Sequence, residues 1–82
     1  MSEAVYKIEV WFDSIQITVN GKSVAGYDYD ADLDAWTHQL GTLFTFPART
    51  QTMSSRMQVL DEVWRWAEEH IEQLMAVRDG RN

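Results

Sequence analysis

The residues best suited to binding a metal ion are four aspartates at alternate positions in one short segment. They are Asp28, Asp30, Asp32 and Asp34. Alternating carboxylates also open calcium-binding loops, but such a loop needs a glycine at its sixth position and a glutamate at its twelfth. Counted from Asp28, those positions hold Leu33 and Gln39. We therefore predict no metal site, and interpret the aspartates as helix-capping residues or as an acidic contact surface.

Proton transfer would most readily involve His38 and His70, because histidine titrates near neutral pH. Neither residue lies in a recognisable catalytic motif. Ser54 and Ser55 are better explained as residues that start a helix than as nucleophiles. We expect structural or surface roles for all four residues, and we predict no catalytic residue, no cofactor and no enzymatic activity.

Aromatic residues are the more informative group. Four tryptophans, three tyrosines and three phenylalanines are a large volume for the core of an 82-residue chain, so some of them should stay exposed. Together with the aspartates they give the predicted partner-binding residues: Trp11, Tyr27, Asp28, Tyr29, Asp30, Asp32, Asp34 and Trp66. The alternative is that the second face of the sheet or a longer loop buries the aromatic ones.

Three β-strands should position the first of these residues. Residues 5–12 alternate between two faces, and Trp11 falls opposite the apolar one, which carries Tyr6, Ile8, Val10 and Phe12. A second strand is predicted from Ile15 to Val19. Asn20-Gly21 then predicts a type I′ hairpin into a third strand from Lys22 to about Tyr29. A glycine within that third strand, Gly26, indicates a bulge or the close approach of another backbone.

A first helix should follow the strands. Leu33, Trp36 and Leu40 recur at helical spacing behind the acidic residues, which predicts a helix from about Ala31 to Leu40. The segment from Thr42 to Thr52 contains Pro47 and is interpreted as a linker.

A second, longer helix is predicted between Ser55 and Gly80. Ser55 and Gln58 fit a capping box at its start, and Gly80 fits a cap at its end. Its predicted core-facing stripe is Met57, Leu60, Trp64, Ala67, Ile71, Leu74 and Met75. A second apolar stripe beside it is predicted to be a contact surface for a partner and consists of Val59, Val63, Trp66 and Val77. The predicted fold is α+β, a three-stranded antiparallel meander followed by two helices (βββαα), with the C-terminal helix packed on the sheet.

Composition limits the classes of function. Residues 1–82 have room for one small domain, and a net charge of −6 repels the phosphates of nucleic acids. The chain has no cysteine, its first residues lack the features of a secretory signal, and no apolar run reaches the roughly 20 residues of a membrane-spanning helix. We therefore expect a cytoplasmic protein with a protein partner, no direct nucleic acid and no membrane.

One segment is similar to a known family. Asn20-Gly21-Lys22-Ser23-Val24, followed by Asp28-Tyr29-Asp30 and then by Leu33 and Trp36, resembles the hairpin-to-helix segment of small phage anti-CRISPR proteins that inhibit type I-F surveillance complexes. The similarity covers Asn20–Leu40, about a quarter of the chain. The long second helix departs from that family, so no contact residue is transferred. The resemblance implies an inhibitor in the host bacterial cell that binds a Cas surveillance complex and blocks target DNA binding or nuclease recruitment.

Two functional hypotheses follow. The first is a non-enzymatic protein-binding inhibitor, an anti-CRISPR or other anti-defence protein. The second is a structural or adaptor domain that forms a homodimer through its long C-terminal helix and buries the stripe of Val59, Val63 and Trp66 across a symmetric seam.

Overall fold

A five-stranded antiparallel sheet and two helices form the α+β fold, as a computed structural model of the protein shows for residues 4–81. The strands are β1 (Lys7–Val10), β2 (Ser14–Val19), β3 (Lys22–Asp30), β4 (Ala35–His38) and β5 (Thr52–Met53), and they lie in the sheet in chain order. A short 3₁₀ turn, Ala48–Thr50, precedes β5. The helices are α1 (Arg56–Glu69) and α2 (Ile71–Arg78).

The predicted three-stranded meander forms the first part of this sheet. Asn20 and Gly21 have φ angles of 53° and 81°, as a type I′ turn requires, and they join β2 to β3. Gly26 lies opposite Gln16, and a β-carbon on Gly26 would come within 2.7 Å of the Gln16 Cβ atom. The predicted close approach of another backbone at this glycine is confirmed.

The predicted helix from Ala31 to Leu40 is wrong, because this segment forms a tight turn and then β4. The carboxylate of Asp30 accepts hydrogen bonds from the backbone N–H groups of Asp32 (3.0 Å) and Leu33 (3.3 Å). Asp34 has a φ angle of 50°, which is left-handed and incompatible with a continuing right-handed helix. The chain therefore reverses at residues 31–34, and Trp36 is buried in β4 beside Tyr29 on β3.

Both predicted helix caps are confirmed, but the single long helix between them is not. The Ser55 hydroxyl accepts a hydrogen bond from the Gln58 N–H, and Gly80 has a φ angle of 73°. Between them His70 has a non-helical φ of −118° and separates α1 from α2. Its Nδ1 atom lies 2.8 Å from the Trp66 carbonyl oxygen, and its ring stacks on the Trp66 indole at 4.1 Å between centroids.

The core uses only part of the predicted helix stripe. Ala67 and Leu74 are buried as predicted and Leu60 packs against the core, whereas Met57 and Trp64 are exposed. Val59, Val63 and Trp66, which were proposed as a contact surface, are buried. β4, β5 and the segment around Phe44 and Phe46 extend the surface that α1 covers. The stripe that contains Trp66 is buried for this reason. The buried apolar residues are Ile15, Ile17, Val19, Val24, Ala25, Tyr27, Trp36, Phe46, Val59, Val63, Trp66, Ala67 and Leu74.

The opposite face of the sheet is polar. Gln39 Nε2 donates hydrogen bonds to Gln16 Oε1 (3.2 Å) and Asp28 Oδ1 (2.9 Å), and Ser23 donates to Gln39 Oε1 (2.9 Å). An antiparallel sheet with one apolar and one hydrogen-bonded polar face has this alternation along each strand. Within residues 4–81, no helix has the length and apolar character needed to cross a membrane.

Candidate protein-binding surface

Two turns lie side by side at one end of the sheet. The β1–β2 turn contains Trp11, Phe12 and Asp13, and the β3–β4 turn is formed by residues 31–34. Successive antiparallel strands place the first and third turns of a meander at the same end. A backbone hydrogen bond of 2.8 Å from Tyr29 N–H to the Asp13 carbonyl oxygen joins the two. We call residues 11–13 and 28–34 the turn end.

Large apolar side chains are exposed at the turn end. The exposed fractions are 57% for Trp11, 91% for Phe12 and 64% for Leu33, with Tyr29 at 36%. The predicted exposure of Trp11 is confirmed. Phe12 was expected on the buried face of the first strand, but β1 ends at Val10 and Phe12 falls in the turn. Aromatic residues with this exposure at the tip of a hairpin are suited to enter a pocket on a partner.

Carboxylates surround these side chains. Asp28 and Asp30 are held by hydrogen bonds from Gln39 and from the turn backbone, and the Tyr29 hydroxyl donates to the Asp34 carboxylate. This hydrogen bond, more than any other influence, raises the pKa of Tyr29 above its ordinary value. These hydrogen bonds fix the positions of three carboxylates, those of Asp28, Asp30 and Asp34, at the turn end.

Arg56 is the cationic residue that contacts the turn end, and it donates its hydrogen bonds there to backbone carbonyl groups. Its two terminal guanidinium nitrogens each donate a hydrogen bond of 2.9 Å, one to the Phe12 carbonyl and the other to the Trp11 carbonyl. The guanidinium carbon also lies 5.5 Å from the centre of the Trp36 ring. Arg56 therefore fastens the β1–β2 turn to the start of α1.

The aspartates of the turn end keep their negative charge unpaired. The ion pairs found among residues 4–81 join Arg65 to Asp61 and Arg78 and Arg81 to Asp79, all on or after α1. The same residues contain no group of three side chains placed to hold a metal ion. The acidic field of the turn end is therefore directed to solvent, where a cationic partner could use it.

Two predicted contact residues belong to the core instead. Tyr27 is fully buried, donates a 2.6 Å hydrogen bond to the Thr50 carbonyl and packs on Phe46 at 4.5 Å between ring centroids. Trp66 is 5% exposed and lies against Phe44 and Phe46. Neither side chain is available to a partner, because Tyr27 on β3 and Trp66 on α1 are both buried between the sheet and the helix. The residues predicted to form a homodimer seam, Val59, Val63 and Trp66, are likewise buried within the chain's own core.

The remaining predicted residues come together, and the structure adds two more. Trp11, Asp28, Tyr29, Asp30, Asp32 and Asp34 all lie at the turn end. Phe12 and Leu33 were not predicted as contact residues. Leu33 was instead assigned to the predicted helix, because its spacing with Trp36 and Leu40 is helical, and that helix does not form. Phe12 lies two residues after the end of β1 and directly before Asp13-Ser14, and this turn sequence could have identified it.

Comparison with known proteins finds no matching family model, no similar curated protein and no similar solved structure.

Proposed function

We propose that this protein is a non-enzymatic inhibitor that binds a protein partner through the turn end and blocks the partner's working surface. The observation that carries the proposal is the placement of exposed Trp11 and Phe12 beside unpaired aspartates on two joined hairpins. Interfaces commonly combine a few aromatic anchors with a surrounding polar rim. Hydrogen bonds hold the backbone of the two turns in place before binding, which lowers the entropy lost on association.

The charge of the turn end favours a basic protein surface as the partner. Five aspartates, at positions 13, 28, 30, 32 and 34, outnumber the one arginine there. Complementary charge speeds association and excludes partners of like charge, including free DNA and RNA. A protein groove that normally holds nucleic acid has the required positive charge, and an acidic domain placed in it would exclude the nucleic acid.

The candidate partner is a type I-F Cas surveillance complex in the host bacterial cell. The similarity of Asn20–Leu40 to anti-CRISPR proteins supports this choice, although the segment forms two hairpins here and not a hairpin followed by a helix. In this function the turn end would occupy a basic surface of the complex and prevent target DNA binding or nuclease recruitment. The Asn20-Gly21 turn lies at the far end of the sheet and would stay outside the interface.

Direct binding to the purified, crRNA-loaded complex tests the proposal. We expect immobilised wild-type protein to capture the complex, and Phe12→Ala and Trp11→Ala each to weaken capture by about tenfold or more, as for central aromatic anchors. Leu40→Ala is the matched control, because Leu40 is 85% exposed but lies outside the turn end. Circular dichroism of each variant checks that the fold is retained.

Three outcomes are informative. Loss of binding in the two turn-end variants with retention in Leu40→Ala supports the proposed surface. Equal binding by all variants means that another surface is used. If the wild-type protein does not bind the complex or reduce its binding to target DNA, the Cas complex is the wrong partner.

A further inference from the structure

The outer edge of β1 is open. β1 is the first strand of the sheet and pairs on one side with β2, and no strand among residues 4–81 pairs with its other side. An open strand edge presents unpaired N–H and C=O groups that can bond to another strand. A strand of the right sequence can therefore extend the sheet at this edge.

The hydrogen-bonding pattern identifies which backbone groups point outwards. The Trp11 N–H donates to the Ser14 carbonyl directly opposite in register, so the backbone of Trp11 faces β2. Backbone groups alternate along an antiparallel strand, so Lys7 and Glu9 also direct theirs towards β2. The N–H and C=O groups of Ile8 and Val10 consequently point out from the open edge.

We infer that β1 pairs antiparallel with β1 of a second copy of the chain, around a two-fold axis at Ile8. In this register Ile8 lies opposite the second copy's Ile8, and both direct their backbone groups at each other. Lys7 then lies opposite Glu9 of the other copy, and this pair occurs twice by symmetry. Opposite charges directly across two strands stabilise their pairing.

The side chains on both faces suit this register. Glu9 is held on the polar face by hydrogen bonds from Thr18 (3.1 Å) and Trp11 (3.3 Å), and Lys7 makes no ion pair with the described residues. On the helix-bearing face Val10, which is 49% exposed, would cover Tyr6 of the other copy. The strand edge is thus complementary to itself in charge and in apolar surface.

Other two-fold registers fit less well. An axis at Glu9 would place two glutamates opposite each other, where like charges destabilise the pairing. An axis at Val10 would place Glu9 opposite Trp11, and one at Tyr6 would place Lys7 opposite Val5. The axis at Ile8 is the arrangement of these four that joins opposite charges.

The outer side of α1 would enlarge the interface. Gln58 and Glu62 face the segment that contains β5, as their shared depression with Arg49 and Thr52 shows. Met57 (72%) and Trp64 (57%) are exposed beside Leu60 on another side of the helix. Where the pairing of the two edges brings this side of α1 near the second copy, it adds apolar area that a short strand pair lacks.

Charge reversal tests the register. Sedimentation equilibrium of the wild-type protein from micromolar to millimolar concentration should show a monomer–dimer equilibrium. Lys7→Glu and Glu9→Lys should each raise the dissociation constant by about tenfold, because each replaces both Lys–Glu pairs by like-charge pairs. The double variant Lys7→Glu/Glu9→Lys should restore the wild-type value, since the opposite charges face each other again.

Lys22→Glu is the matched control, because it makes the same charge change on an exposed residue at the start of β3. Rescue by the double variant together with an unchanged Lys22→Glu dimer supports the pairing at Ile8. A wild-type protein that stays monomeric throughout, or a dimer in which the two reversals add without rescue, overturns it. A monomer that instead takes up an added extended peptide at β1 also overturns it and assigns the edge to another partner. None of these results depends on the proposed inhibitory function.

Discussion

Tyr27 is the residue through which β3 is tied to the chain that leads into β5. Its ring is fully buried against Phe46, and its hydroxyl reaches the Thr50 carbonyl at 2.6 Å. Burial raises the pKa of Tyr27 to about 12, because the phenolate would lose its hydration in the core. Tyr27 was predicted from the sequence as a partner-binding residue, but its side chain stabilises the core.

Tyr27→Phe should lower the free energy of unfolding at neutral pH by about 1–2 kcal/mol, because the Thr50 carbonyl loses its donor. The folded-state pKa lies above the ordinary value of 10.0, so the stabilising contribution is complete below pH 10.0 and is lost as pH rises towards 12. Urea unfolding of both proteins across this range measures the effect. The gap between them should narrow with rising pH.

Tyr6→Phe is the control for the loss of a hydroxyl, because Tyr6 is only partly buried and its hydroxyl makes no hydrogen bond with the described residues. A neutral-pH loss of stability as large for Tyr6→Phe as for Tyr27→Phe would contradict this account of the Thr50 hydrogen bond.

At the scale of elements, the segment after β3 shows where sequence patterns stop being sufficient. Its spacing of Leu33, Trp36 and Leu40 is helical, yet Leu33 and Leu40 are exposed and only Trp36 is buried. The turn made by the Asp30 carboxylate and the left-handed Asp34 reverses the chain, and pairing with β3 then buries Trp36. Tertiary pairing of this kind overrides a local helical pattern of three residues.

Features set by local chemistry were predictable. The Asn20-Gly21 turn, the Ser55 cap and the Gly80 cap each depend on a few neighbouring residues, and all three are present. The buried stripe of α1 was not predictable, because both of its apolar stripes are long enough to form a core. The choice depends on β4, β5 and the Phe44–Phe46 segment, whose positions follow from the whole chain. Phe12 was missed at the turn end for the same reason, because its exposure depends on where β1 ends in the folded chain. The four aspartates of residues 28–34 were all predicted as contact residues.

Gly26→Ala should destabilise the sheet by about 1–3 kcal/mol. The added β-carbon would lie 2.7 Å from Gln16 Cβ and 2.8 Å from the Ile15 carbonyl oxygen, so β2 and β3 would have to move apart. Thermal and urea unfolding measure the loss. Gly21→Ala is the control for backbone strain. Gly21 has a φ angle of 81°, but an added β-carbon there would meet no atom within 4 Å. Unchanged stability in Gly26→Ala would contradict the close strand approach.

At the scale of the whole molecule, the net charge of −6 is unevenly placed. The aspartates of the turn end have no ion-pair partners among the described residues, whereas Asp61 and Asp79 on the helical side do. Like charges held close together destabilise the folded state, although they speed the approach of a basic partner. The proposed acidic recognition surface should therefore lower the stability of the folded state, and this effect should be measurable without any partner.

Asp32→Asn should raise the free energy of unfolding by about 0.3 kcal/mol at low ionic strength, because Asp32 is exposed and lies among carboxylates. The gain should vanish near 1 M salt, where charges are screened within about 3 Å. Glu72→Gln removes the same charge from the first turn of α2, where a carboxylate interacts favourably with the helix dipole, so it should lower stability slightly. Urea unfolding at low and high salt distinguishes the two. An equal gain in both variants would assign the effect to net charge alone, and the clustering of aspartates at the turn end would then have no energetic consequence of its own.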